Sequence, residues 1–277
     1  MDWLPHERYL DELGRQAEAF ASTVAGADGG ARVPSCPEWT LTELVGHAGG
    51  AVWWGGEIVR RRADPDLEPM RLEEPEPPKE LPAAAEWLVA QAGRLSRESA
   101  EAGPDAPCWS WGDAQRTGFW ARRMTHELLI HRLDAALAVG GAGPDGDGFE
   151  VAAELAADNI DEYLGALRPI ARWGFSKRLA ELPGEDRTVR LVATDAAGGA
   201  AEAGEARAWA LRRLPDGFTA GPAPADGPAD AILRAPVRSL MLLVNRRLLD
   251  GWRAAPGLRL SGDAELVQYW LDRLAFE

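Results

Sequence analysis

Cysteine is scarce: two residues, Cys36 and Cys108, in a chain of 277. They cannot build a disulfide framework, and they lack the close spacing of a cysteine metal site. Lysine occurs only at Lys79 and Lys177, so arginine supplies nearly all of the 30 basic residues. With abundant alanine and glycine, that usage points to a GC-rich genome rather than to a site. Basic residues are outnumbered by 44 acidic ones, for a formal net charge of −14. Such a charge opposes non-specific binding to nucleic acid or anionic membrane. No apolar run approaches the roughly 18–20 residues that span a bilayer. The N-terminal stretch Met1 to Gly14 is charged and has no apolar signal-peptide region. The expectation is a cytoplasmic protein with neither a membrane nor a nucleic-acid partner, a monomer or weak homo-oligomer.

What is present is ordinary globular material: 46% hydrophobic residues and length enough for two domains. Twelve tryptophans are many, and serve either as packing or as the walls of a pocket. The first half reads as helices. Leu10, Leu13, Ala17, Phe20 and Val24 make a helical stripe within Leu4 to Val24. Val33 to Thr40, stiffened by two prolines, reads as an irregular lead-in. Thr40 and Glu43 have the spacing of a capping box, which starts a second helix at Leu41, running to about Arg62. Six prolines among acids between Pro65 and Pro82 predict a long exposed loop. Further helices follow at about Ala83 to Ala102 and Gly118 to Val139. Four helices joined by loops suggest a four-helix bundle over residues 1–148.

Residues 149–277 change in texture. A bridging helix is expected over Glu150 to Leu167. Short strands follow at Val189 to Ala193, Ala206 to Leu214, Phe218 to Ala220 and Ala231 to Leu233, with a turn at Pro215–Gly217. A helix is expected from Pro236 to about Leu249, and a last one over Asp263 to Leu274. This half reads as a small α+β domain.

Histidine is also scarce, at His6, His47, His126 and His131 only. His126 and His131 are five apart, about 140° around a helix, so they cannot form the zinc-protease pair, which needs a spacing of four. Glu127 and His131 are four apart and share a face with Met124, Leu128, Ala135 and Ala138. An ionised carboxylate on an inward face must be paired or bind a metal. The pair is therefore either a buried hydrogen bond or part of a ligand set. His47, on the margin of the second helix's apolar stripe, can meet it across a bundle. Two histidines and one carboxylate suit a divalent metal with open positions. Asp134 either orients an imidazole from behind or forms a surface ion pair with Arg132 or Arg123.

Two segments carry a family resemblance. Val33-Pro-Ser-Cys-Pro-Glu-Trp-Thr-Leu-Thr-Glu-Leu-Val-Gly-His47 and Arg122-Arg123-Met-Thr-His-Glu127-Leu-Leu-Ile-His131-Arg-Leu-Asp134 resemble the second and fourth helices of the mycothiol-dependent maleylpyruvate isomerase family. The resemblance implies a DinB-like metal-binding four-helix bundle followed by a small α+β domain of sterol-carrier-like type. It implies a metal triad of His47, Glu127 and His131, with Zn²⁺ or another divalent ion, and mycothiol as co-substrate. Three protein ligands leave room for a thiol or water, and zinc deprotonates a bound thiol. The implied enzyme uses that thiol on a small electrophile, as isomerase or S-transferase. A metal-dependent hydrolase and a non-catalytic small-molecule sensor stay open as alternatives. Arg123 and Trp54 are candidates to line the pocket, Arg123 taking a carboxylate. The family also uses a C-terminal arginine, for which Arg238 and Arg246 are candidates, with Arg234 and Arg247 behind them. Cys36 and Cys108 have no adjacent base and are not expected to react.

Overall fold

A computed structural model describes residues 3–195 and 206–274. The chain separates between Gly143 and Pro144 into two compact units; the sequence reading set the boundary at 148.

In the N-terminal unit, helix α1 spans His6–Val24, α2 Leu41–Arg60, α3 Leu81–Ala102 and α4 Thr117–Ala138. Helix α1 packs on α3 and α4, and α2 packs on the same two. The buried stripe of α1 runs through Tyr9, Leu13, Ala17, Phe20 and Val24. Tyr9 rather than Leu10 opens it, because its phenol turns inward and accepts a hydrogen bond from the Leu4 amide, 2.9 Å. The capping box of α2 forms as expected: Thr40 Oγ1 accepts from the Glu43 amide, and the Thr40 amide donates to Glu43 Oε2 at 2.7 Å. Gly49 of α2 lets α3 approach closely, since a Cβ there would lie 2.4 Å from the Trp87 ring. Helix α4 is buried around most of its circumference, which places its polar residues Arg122, His126, His131 and Asp134 inside the protein. The proline-rich stretch between α2 and α3 holds one short 3₁₀ turn, Pro69–Arg71, and is largely exposed.

The lead-in to α2 differs from expectation. Strand β1, Arg32–Val33, and strand β2, Cys36–Thr40, pair antiparallel in a small hairpin. The prolines do not prevent this: Pro34 sits in the turn, and Pro37 lies on a strand with a free edge in its two-stranded sheet. Val33 is fully buried and anchors the hairpin, whose end is tied down by the Leu41 amide donating to Ala31 O, 2.9 Å.

The C-terminal unit contains α5 (Ala153–Trp173), β3 (Arg187–Ala193), β4 (Ala208–Leu214), β5 (Gly217–Pro222), β6 (Ala231–Ala235), α6 (Val237–Val244), β7 (Arg259–Gly262) and α7 (Ala264–Arg273). One sheet runs β5-β4-β3-β6-β7, parallel only between β3 and β6. Its core strand β3 buries Val189, Leu191, Val192 and Ala193. Helix α6 packs on α5. Two expectations need correction, and one strand was not foreseen. Helix α5 continues past Leu167 to Trp173, since Pro169 lies within its body without ending it. Helix α6 ends at Val244 instead of Leu249, because Arg246 takes a left-handed conformation, φ 60°. Arg246 and Arg247 therefore lie beyond the helix that was expected to carry them. Strand β7 is too short and exposed to announce itself by alternation.

Candidate metal centre

Helix α2 presents His47 and helix α4 presents Glu127 and His131. One ligand atom from each lies within 4.8 Å of the others. Glu127 Oε1 stands 3.1 Å from His131 Nε2 and 3.5 Å from His47 Nε2. The two imidazole rings meet edge to face, centroids 5.1 Å apart. Two imidazole nitrogens and a carboxylate oxygen converging on one point are a donor set that zinc and similar divalent ions accept. The donor chemistry fits such an ion.

The surroundings fix each donor. His131 Nδ1 faces Asp134 Oδ2 at 2.9 Å, which leaves Nε2 turned toward Glu127. Asp134 is fully buried, so its surface ion-pair reading is overturned, and Arg132 donates instead to Gln16 Oε1 at 2.8 Å. Asp134 Oδ1 accepts a hydrogen bond from Ser35 Oγ, 2.5 Å. Arg123 donates from Nη2 to Glu127 Oε2, 2.5 Å. Burial opposes the charge on Glu127, yet Arg123 and the two histidines outweigh it and hold the carboxyl well below the usual range. Burial likewise opposes the charge on His131, but Asp134 and Glu127 push its pKa up to about 9.

His126 points elsewhere. It is fully buried and meets the Tyr9 ring edge-on, 6.3 Å between centroids. Two residues that sequence reasoning passed over stand at the site. Trp39 packs on His47 with centroids 4.6 Å apart, and Ser35 holds Asp134. Both belong to the hairpin and lie in the segment that carries the family resemblance, but their contacts are made to residues distant in sequence.

The remaining candidates are placed as follows. Trp54 donates to Pro69 O, 2.9 Å, and packs edge-on against Trp120, which is fully buried and lies over Trp109. These tryptophans form a cluster about two turns along α2 from His47. In the C-terminal unit, Arg238 donates to Gly146 O and Phe149 O, and Arg246 donates to Leu271 O. Cys108 is buried, which pushes its thiol up to about 11, while Cys36 lies on β2.

Comparison with known proteins bears on this unit first. Residues 10–136, which contain all three donors, match the sequence model of the mycothiol maleylpyruvate isomerase N-terminal domain. The N-terminal unit belongs to that domain family. The chain as a whole is similar in fold to a crystal structure of the mycothiol-dependent maleylpyruvate isomerase, 15% identical, with a TM-score of 0.55 over 95% of this chain and 98% of that one. A histidine-to-alanine variant of that enzyme matches over the same shares at 15% identity with a TM-score of 0.56. The two-domain α plus α/β architecture is thus the isomerase's. A ubiquinone synthesis protein, UbiJ-SCP2, is 18% identical over 43% of this chain and 88% of its own, with a TM-score of 0.29, a likeness that carries no argument. No curated protein sequence matches the chain.

Proposed function

We propose that this protein is a thiol-dependent isomerase of small electrophilic substrates, with mycothiol as its thiol and a divalent metal, zinc by donor type, held by His47, Glu127 and His131. The observation that carries the reading is the convergence of those three side chains on a unit that belongs to the mycothiol maleylpyruvate isomerase N-terminal domain family. In this reading the N-terminal unit is a DinB-like four-helix bundle and the C-terminal unit is sterol-carrier-like.

When bound, the cation supplies Lewis acidity that favours the thiolate over the thiol at neutral pH. The chain's own residues do the rest. Asp134 fixes the His131 ring so that Nε2 faces the centre. Arg123 holds one Glu127 oxygen and leaves the other toward the histidines. Its guanidinium, mostly buried beside the triad, is the positive group offered to an anionic substrate. Trp54, clustered with Trp109 and Trp120, is the apolar side chain this reading offers to the substrate. In the C-terminal unit, Arg238 and Arg246 each engage one guanidinium nitrogen with carbonyls of that unit. A thiol co-substrate sets this chemistry in the cytoplasm, where thiols stay reduced.

The test is a metal analysis of the purified protein followed by thiol-dependent turnover of cis-unsaturated keto-acids. About one divalent ion per chain, and isomerised product released with no net loss of thiol, supports the reading. Consumption of thiol in step with substrate would make the protein an S-transferase. Cleavage of the substrate by water without thiol would make it a metal hydrolase, and metal without any turnover a binding protein.

A further inference from the structure

The two histidines of the triad stand on different helices, and neither helix alone sets the distance between them. The β1–β2 hairpin touches both. From its turn, Ser35 Oγ donates to Asp134 Oδ1 at 2.5 Å, and Asp134 Oδ2 holds His131 Nδ1 at 2.9 Å. From its second strand, Trp39 lays its ring on His47 at 4.6 Å and reaches the His131 ring at 6.3 Å. Among the described residues, the His47 ring is held by Trp39, by His131 and by the 3.5 Å approach to Glu127. Its side chain is 43% exposed, so without Trp39 only the His131 ring and the Glu127 carboxylate oppose its turning into solvent.

The hairpin is itself well anchored. Val33 is fully buried, Arg32 donates to Glu38 O across the strands at 3.0 Å, and the Leu41 and Thr42 amides donate to Ala31 O and Gly29 O. Trp39 also immediately precedes Thr40, the N-cap of α2, which ties the ring's position to the start of the helix that carries His47. A rigid element bonded to one ligand's partner and stacked on the other ligand constrains both at once.

We propose that the β1–β2 hairpin is the positioning device of the metal centre, Ser35 acting through Asp134 on His131 and Trp39 acting directly on His47. The inference rests on the metal reading above, although the hairpin's hold on the two rings exists without a cation. Ser35 and Trp39 are positioning residues: the side chains they hold supply the donors. Partners behind metal ligands typically change metal affinity by about 10- to 100-fold when removed, because an unfixed imidazole must be ordered at the moment of binding.

The experiment compares wild type with Ser35→Ala, Ser35→Thr, Trp39→Leu, Trp39→Phe and Asp134→Asn. Zinc affinity is read by competition with a chromogenic chelator, coordination by the visible absorption of the Co²⁺-substituted protein, and ring order by imidazole NMR of the metal-free protein. Thermal unfolding of each metal-free variant reports the fold. Ser35→Ala and Trp39→Leu should each weaken zinc binding by about 10-fold and alter the Co²⁺ spectrum while the protein stays folded. Ser35→Thr and Trp39→Phe, which keep a hydroxyl and a flat face, should restore most of the loss. Ser35→Ala added to Asp134→Asn should cost little more than Asp134→Asn alone, as a residue acting through another must. Unchanged zinc affinity and Co²⁺ spectra in both Ser35→Ala and Trp39→Leu would overturn the proposal. So would full additivity of Ser35→Ala with Asp134→Asn. If wild type takes up neither zinc nor Co²⁺, the metal reading fails separately, and the NMR decides for the hairpin. Loss of the downfield His131 Nδ1–H signal in Ser35→Ala then supports it, and an unchanged signal overturns it.

Discussion

At the scale of single residues, the meeting of Glu127 with His131 was legible because it is local. Glu127 and His131 share a helical face at a spacing of four, and His126, one residue off that phase, turns toward Tyr9 instead. Replacing Glu127 with Gln keeps its volume and removes its charge, so zinc affinity should fall roughly 100-fold or more while the unit stays folded. His126→Ala should keep the metal and instead lose about 2 kcal/mol of stability to the space left in the core. Chelator titrations and denaturant unfolding of both variants measure this, and metal loss in His126→Ala alone would put the helix in the wrong phase. Proton linkage at His131 gives a second expectation. Its pKa is raised to about 9 by Asp134 and Glu127 against the opposing effect of burial. In metal-free protein its charge therefore contributes stability that is complete below about pH 6.5 and is lost as the pH rises through about 9. A cation takes only the neutral imidazole, so zinc affinity should climb about tenfold per pH unit across that interval, while metal-free stability declines. Urea midpoints and competition titrations between about pH 6 and about pH 10 check the two opposite slopes. What the sequence could not disclose was Asp134's burial. Nor could it disclose the partner Ser35, separated from Asp134 by 99 positions.

At the scale of elements, the long helices were readable from their periodicity and caps, and the errors lie where geometry overrides pattern. The hairpin hid behind its prolines, since a two-residue strand has no alternation to detect. Helix α6 was drawn too long because an arginine in the left-handed region, Arg246, carries no signature in composition. Glycines in α2 look like helix breakers and are instead the condition for its closeness to α3. Gly49→Ala places a methyl group against the Trp87 ring. Despite the better helix propensity of alanine, the variant should be destabilised by about 1–3 kcal/mol, since an indole cannot move aside as a flexible side chain would. Denaturant unfolding measures it, and a stabilised variant would mean that α3 shifts freely.

At the scale of the whole molecule, all three donors and both hairpin contacts lie within one compact unit, residues 4–143. A protein cut to that unit should retain zinc affinity within about threefold of the full chain, because Asp134 and Ser35, the partners behind His131, stay with it. Thiol-dependent turnover by the same fragment measures what the C-terminal unit adds, and an undiminished rate would assign that unit to another task. The order of the donors along the chain has one more consequence. His47 precedes the exposed proline-rich stretch and Glu127 and His131 follow it, so a bound cation closes a ring of polypeptide through that stretch. A protease that nicks the ring opens it without releasing either piece. The nicked, zinc-loaded protein should run as one species on a sizing column, and a chelator added with mild denaturant should part it into two fragments sooner than denaturant alone.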